Sequence, residues 1–448
     1  MSILHPRKKR RMDSNSGHFD LVVLGCGGGH DETNLSAYLL KPRDKTWSDG
    51  ILGLEAGSGY GALKRLFGTH PRLFSSLFKP HQPKSRLPTN PIDKAHVVFT
   101  HLKAYLISHA HLDHCASLII SSGSLPGPTR HILGAQSVLE DLERYIWRPG
   151  KCWPRIVGWE QSDSSSNTAG GILRALKLTS SENNNKGDRD EEYLPIGAGL
   201  DDLSVRVVPV SHGCTYTSSA FFIRHVRTRH EFLFFGDVEA DPLPLGSSPT
   251  SSSNSPVLNS PARPLLLPIW THTAHLFTSN RLRALLIECS YPAGRPESQL
   301  FGHLSVEGLR KEIKVLADEV MKLQPGRVAD ERIHGTGGRQ TNGTGRPTRP
   351  PLKRKPSSDL PYPRTRSLAK LSTPSLSSPP TPAGPLSGLR VIVTHCKEPP
   401  PGFDLLGAPS IADYIVGQLK FGVKSLGLGA DATGVEYVAA CQGDEFVL

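Results

Sequence analysis

The chain has no Cys-x-x-Cys pair, no run of about 18 consecutive apolar residues such as a membrane helix requires, and only 37% hydrophobic residues over its 448 positions. Its seven cysteines (26, 115, 152, 214, 289, 396 and 441) are odd in number and scattered. That pattern excludes a disulfide framework and a structural zinc knuckle, and it fits a reducing compartment. No apolar segment follows the N-terminal charges, so neither a secretory signal nor a membrane span is expected. A broad basic face is lacking too. The formal charge is +11, but Arg7–Arg11 (RKKRR) holds five positive charges and residues 327–370 hold 11 Lys or Arg against 3 acidic residues, leaving the remainder at about −2. The body of the protein therefore carries no nucleic-acid footprint. The expected protein is soluble and cytoplasmic. The RKKRR run reads either as a nuclear-import patch or as a solvated tail.

What the chain does have is 43 Gly and 38 Pro, concentrated so that ordered stretches alternate with polar ones. Residues 1–18 are unpatterned and basic, and a single hydrolase domain is expected over 19–448. Three segments, 161–192, 242–264 and 326–387, are rich in Ser, Asn, Pro, Gly or charge and read as disordered insertions into that domain. Between them, β-branched and apolar runs predict strands at 19–24, 34–40, 51–55, 104–108, 203–210, 220–225, 231–235, 284–288 and 389–394. Helices are predicted from Ala56, over 136–145 and over 305–323, the last on its 3.6-residue Leu and Val period, while 115–121 reads as a helix or a turn. Several strands precede each helix, so a plain βαβ wheel is excluded.

The chemistry concentrates in residues 109–114, His-Ala-His-Leu-Asp-His, which leave a short buried strand. His109 and His111 are two apart, so in an extended segment both imidazoles turn toward one metal. Asp113 and His114, at the following bend, can serve a second ion about 3.5–4 Å from the first, the spacing of hydrolytic two-metal sites. One loop cannot fill two coordination shells. His212 (SHG), Asp237 (FFGD) and His395 (THCKE) each follow a strand, and strand ends on one sheet edge converge. Of these, only the carboxylate of Asp237 can bridge two cations through its two oxygens. Glu288, at the end of ALLIE, either orients a neighbouring group or caps its strand. The GCGGG turn at 25–29 mimics part of a dinucleotide fingerprint but opens no helix, so with Asn34 it reads as a turn between strands near the site rim. His272 and His275 have ligand-like spacing on a helix with nothing else around them, and read as structural.

These motifs together resemble the metallo-β-lactamase fold hydrolases, and more narrowly the class II cyclic-nucleotide phosphodiesterases, through HAHLDHCASLIISS, LGCGGGHDETNLSAYLL, FFGDVEAD and IECSYPAGRPESQLFGHLS. Cys115 stands where that family usually has an aliphatic residue. The resemblance implies an α/β protein, an αββα sandwich, with two divalent metal ions, zinc foremost. It implies that His109, His111 and His212 hold one ion, that Asp113, His114 and His395 hold the other, and that Asp237 bridges. His303, in FGHLS, is implied as the proton donor to the leaving group, with Asp113 and Glu288 completing the catalytic set. The last metal position stays open between His395 and His303, because the long insertion before His395 hides the spacing.

The activity implied is hydrolysis of cyclic AMP, and of cyclic GMP as a second substrate, to the 5'-monophosphate by a metal-bridging hydroxide attacking in line. The expected partner is thus a small-molecule cyclic nucleotide rather than nucleic acid or membrane. Two alternatives remain in view: a tRNA 3'-end endonuclease of the same fold, with residues 327–370 as its basic arm, and a non-catalytic scaffold.

Overall fold

A computed structural model describes residues 17–78, 90–124, 127–148, 157–159, 171–179, 192–213, 216–242, 266–324 and 384–448, with 88, 150, 152 and 153. Its elements run in chain order as β1 (Phe19–Gly25), β2 (Ala37–Pro42), β3 (Ile51–Leu54), α1 (Tyr60–Thr69), α2 (Pro91–His101), β4 (Leu102–Leu106), α3 (Leu112–Ser121), β5 (Arg130–Ala135) and α4 (Gln136–Asp141). There follow β6 (Val157–Trp159), β7 (Gly171–Leu176), β8 (Leu194–Pro195), β9 (Leu203–Ser211), β10 (Thr217–His225), β11 (Glu231–Phe235), α5 (Leu267–Thr278) and β12 (Leu282–Glu288). The described chain closes with α6 (Val306–Leu323), β13 (Arg390–Thr394), α7 (Ile411–Phe421), β14 (Glu436–Ala439) and β15 (Glu445–Val447).

Two sheets result, one ordered β15-β1-β2-β3-β4-β5-β7-β6 and the other β14-β13-β12-β11-β10-β9-β8. Apolar side chains from both, among them Leu21, Leu40, Leu54, Leu106, Phe221, Phe234 and Leu286, form one buried cluster between the sheets. A second cluster packs α1, α2 and α3 on the outer face of the first sheet. The third packs α5, α6 and α7 on the outer face of the second. Because both faces of each sheet are covered, central strands such as β11 (EFLFF) and β12 (LRALLIE) are apolar nearly throughout rather than alternating. This is the αββα sandwich that the resemblance implies.

Helix ends follow local chemistry. Asn90 caps α2 by accepting from Asp93 N, with Pro91 in the first turn, and Ser410 does the same for α7 through Asp413 N. Asp241 accepts hydrogen bonds from Leu266 N at 2.9 and 3.0 Å, closing the chain across residues 243–265 at the start of α5. Behind it, Glu312 of α6 takes Asp241 N at 2.9 Å and Trp270 Nε1 at 2.8 Å.

The strand expectations are met with small shifts, the second beginning at Ala37 rather than Asn34. One expectation is overturned: within the supposed insertion 161–192, Gly171–Leu176 forms β7, paired with both β5 and β6. Its Ile172, Leu173 and Leu176 are ordinary strand residues, diluted in sequence by the polar runs on either side. The supposed insertions at 242–264 and 326–387 fall mostly outside the described residues.

Phe221 is fully buried between the sheets and stacks on Phe234 at 6.0 Å. Phe221→Ala is expected to lower stability by about 3–5 kcal/mol, read from the denaturant midpoint. A loss below about 1 kcal/mol would contradict the described core.

Candidate metal centre

The loops after β4, β9, β11, β12 and β13 open at one edge of the sandwich, and that edge gathers the polar residues singled out above. His109 follows β4, while His111 has an extended backbone (φ −68°, ψ 147°) at the cap of α3, and their ring centroids lie 4.5 Å apart. Asp113 and His114 occupy the first turn of α3, where a carboxylate also meets the positive end of the helix. Asp237 leaves β11 between them.

Two groups of donor atoms form around Asp237. On one side stand His109, His111 and His212, whose candidate ligand atoms lie within 4.8 Å of one another. His212 Nε2 is 3.3 Å from His111 Nδ1 and 3.7 Å from Asp237 Oδ2, and His109 Nε2 is 3.8 Å from the same oxygen. On the other side, within the same span, stand Asp113, His114, Asp237 and His395. Asp237 Oδ1 is 3.3 Å from His114 Nε2 and 3.4 Å from His395 Nε2, and Asp113 Oδ2 is 3.3 Å from His395 Nε2. One carboxylate thus turns a different oxygen to each group.

A further ring of contacts fixes how the imidazoles face. Ser108 Oγ lies 2.9 Å from His109 Nδ1, Ser290 Oγ lies 3.2 Å from His395 Nδ1, and His212 Nδ1 donates to the Gly302 carbonyl at 2.8 Å. Glu55 Oε1 stands 3.6 Å from His114 Nδ1. For His109, His212 and His395 the outer nitrogen is occupied and Nε2 is turned inward, the arrangement that metal-binding histidines adopt, while His114 Nδ1 faces the Glu55 carboxylate without a hydrogen-bond partner among the described residues. His111 is held differently, its ring stacked on Tyr216 at 4.6 Å. Glu55 (φ 57°) and His395 (φ 56°) both sit in the left-handed region. Such backbone costs about 1–3 kcal/mol per residue and persists where surrounding contacts over-determine it.

Electrostatics set the protonation of this cluster. Burial, reinforced by neighbouring imidazoles, holds His109 well below the usual histidine range and lowers His111 and His212. All three shifts favour the neutral ring, the form in which an imidazole can ligate a metal. Burial opposes charge on Asp237 as well, yet His395 and His114 outweigh it and keep the carboxyl well below its ordinary range. Asp113 is likewise lowered against burial by His395 and His114. His109 Nε2 is fully buried and, among the described residues, has no hydrogen-bond partner. An orphaned imidazole nitrogen aimed at a buried carboxylate, among neutral imidazoles, is a donor set that fits a divalent cation.

His303 stands beside the cluster. Its Nδ1 donates to Glu288 Oε1 at 3.0 Å and lies 3.6 Å from Asp237 Oδ2. Burial disfavours its charge, but the Glu288 carboxylate prevails and raises its pKa. Glu288 also accepts Ser290 Oγ at 2.6 Å and Val238 N at 2.8 Å. It therefore orients His303 and joins the strand ends at once. His395 is the residue grouped with Asp113 and His114, while His303 groups with Glu288 or with His212 and Asp237.

The structure also brings in residues that sequence reasoning did not single out: Glu55, Ser108, Tyr216 and Ser290. The signal for Glu55 lay in an acid ending the apolar run ILGLE. His272 is remote from the cluster, its Nε2 lying 3.2 Å from the Tyr193 hydroxyl. Gly28 of the GCGGG turn packs directly on His395, since an added Cβ would lie 2.2 Å from its Nδ1.

A family model for class-II cAMP phosphodiesterases matches residues 22–328. A probable 3',5'-cyclic-nucleotide phosphodiesterase of Yersinia pestis is 26% identical over 310 residues, 68% of this chain and 75% of that protein. A 3',5'-cyclic-nucleotide phosphodiesterase of Candida albicans is 26% identical over 382 residues, 70% of this chain and 85% of its own length. Among solved structures, unliganded yeast PDE1 aligns with a TM-score of 0.62 at 19% identity, covering 96% of this chain and all of that one.

Gly28→Ala is expected to displace the His395 ring and to weaken divalent-metal binding about 10–100-fold, while the melting temperature falls by only a few degrees. Gly61→Ala, where an added Cβ meets nothing within 4 Å among the described residues, is the control. Titration of both metal-stripped variants with zinc checks this, and equal affinities would refute the role given to Gly28.

Proposed function

Because the chain belongs to the class-II cAMP phosphodiesterase family of phosphoric diester hydrolases, we propose that it hydrolyses 3',5'-cyclic AMP, and cyclic GMP as a second substrate, to the 5'-monophosphate. The observation that carries this reading is the division of Asp237, one oxygen toward each of two donor groups. In this reading His109, His111 and His212 hold one divalent ion, Asp113, His114 and His395 hold a second, and Asp237 bridges them. The borderline mixture of imidazole and carboxylate favours zinc. When bound, the two ions would supply Lewis acidity and water deprotonated near neutral pH.

The protein's own groups do the rest. His303 is kept protonated by Glu288 and presents its remaining nitrogen to the 3' oxygen as the phosphorus–oxygen bond breaks, so the leaving alkoxide departs as an alcohol. Glu288 holds that ring through Nδ1 and is a positioning residue. Asp113 Oδ2 and His395 Nε2 lie 3.3 Å apart, the two atoms these residues would offer to the second ion. Buried walls around His109 and His114 exclude bulk water and so strengthen each charge interaction within the site. The location is proposed as cytoplasmic; among the described residues no helix is long and apolar enough to cross a membrane.

Purified protein supplied with zinc or manganese is expected to turn over cyclic AMP, with cyclic GMP as a second substrate, and to leave precursor tRNA intact. His111→Ala should abolish turnover. Trimming of tRNA without cyclic-nucleotide turnover would replace this reading with the nuclease, and absence of any His111-dependent activity would leave a scaffold. The two candidates for the last ligand separate by metal content: His395→Ala is expected to lose bound metal, whereas His303→Asn keeps it and loses about 10²–10⁴-fold in kcat. Retention of metal by the first variant and its loss by the second would reverse the two roles.

A further inference from the structure

Among the histidines of the two donor groups, His111 is the exposed one; His109, His114, His212 and His395 are all buried. Its Nδ1 faces His212 Nε2 at 3.3 Å, and among the described residues no serine, carbonyl or carboxylate takes its other nitrogen in a hydrogen bond. An imidazole at the surface has rotamers to choose from, and holding one of them costs side-chain entropy. Something other than the usual outer hydrogen bond has to fix this ring.

An aromatic face does so. The Tyr216 ring lies nearly parallel to His111, with centroids 4.6 Å apart and planes 20° apart. The same ring meets His109 and His212 edge-on at 5.9 and 6.2 Å, and among the described residues it stacks on neither His114 nor His395. It is fastened at both ends to the segments it supports. The hydroxyl accepts from Ala110 N at 3.3 Å, between His109 and His111, and the backbone carbonyl accepts from His212 N at 3.0 Å. An imidazole that gives its lone pair to a divalent cation takes on part of that charge, and a phenol face attracts such a ring more strongly than a neutral one. The stack therefore favours the loaded state of His111, and it also restricts the ring before any ion arrives.

Resting on the two-ion reading above, we propose that Tyr216 is the positioning residue of the three-histidine group: by stacking on His111 it sets the affinity of that group for its ion. The group of Asp113, His114 and His395 binds its ion independently of Tyr216. The phenol ring plays, for the exposed ligand, the part that serine and carbonyl oxygens play for His109, His212 and His395.

Calorimetric titration of the metal-stripped protein with zinc tests this. Tyr216→Leu is expected to weaken one of two binding events about tenfold and to leave the other within about twofold of the parent, whereas Tyr216→Phe, which keeps the stack and loses only the hydroxyl, stays within about threefold in both. A His111→Ala background offers no ring to stack on, so adding Tyr216→Leu there should change zinc binding by less than about twofold; a merely structural role would cost affinity in that background too. Melting of the metal-free proteins monitors folding, and Tyr216→Met serves the same test should the leucine variant fail to fold. Equal weakening of both events by Tyr216→Leu, or a further loss in the His111→Ala background, would overturn the proposal. If the parent takes up fewer than two ions, the two-ion reading falls and this proposal falls with it. A parent that takes up two, with a Tyr216→Leu variant that binds both as tightly, defeats the proposal alone.

Discussion

Everything at the open edge of the sandwich is arranged around one buried carboxylate. Asp237 cannot remain ionised in an apolar interior without positive or donating groups on all sides. His109, His114, His212, His303 and His395 all approach it within 4 Å. The strands have to end at one level for this to happen, which is what the pairing of β11, β12 and β13 as parallel neighbours achieves. Their carboxyl ends deliver Asp237, Glu288 and His395 to one place. The first sheet contributes from across the sandwich through the loop after β4.

Rigidity in the centre comes from its outer contacts as much as from the groups facing inward. Glu55 and His395 adopt a backbone conformation that non-glycine residues rarely tolerate, and each is held there by several hydrogen bonds. His109, His212, His303 and His395 each have one nitrogen committed to a serine, a carbonyl or a carboxylate, so rotation of any of these rings would strip a neighbour of its partner. Such a centre is preorganised, which is how a modest number of charges can act strongly on a developing transition state.

Much of this could be read from the residues alone. The apolar runs ending in His, Asp or Glu announced both the strands and the site, because a strand buried on both faces has a distinctive composition and its polar terminus stands out. Less legible was β7, where GILRAL is short and lies between polar runs that dominate any window. β15 is only Glu445–Val447 and is a strand because the edge of β1 is available to pair with it, while in β5 the buried Ile132 and Leu133 follow Arg130 and His131, which shorten its apolar run. Glu55, Ser290 and Tyr216 were hidden for another reason. Their roles depend on long-range contacts to His114, His395 and His111, and sequence spacing is silent about partners 59 to 105 positions away.

The clasp at Asp241 has a broader meaning. By accepting from the amide of Leu266, this one side chain fixes where the chain departs and where it returns, whatever lies between. The segment that follows β11 and the first residues of α5 are thereby tied to each other directly, so a change at Asp241 would be felt at the start of that helix and, four positions back along the chain, at Asp237.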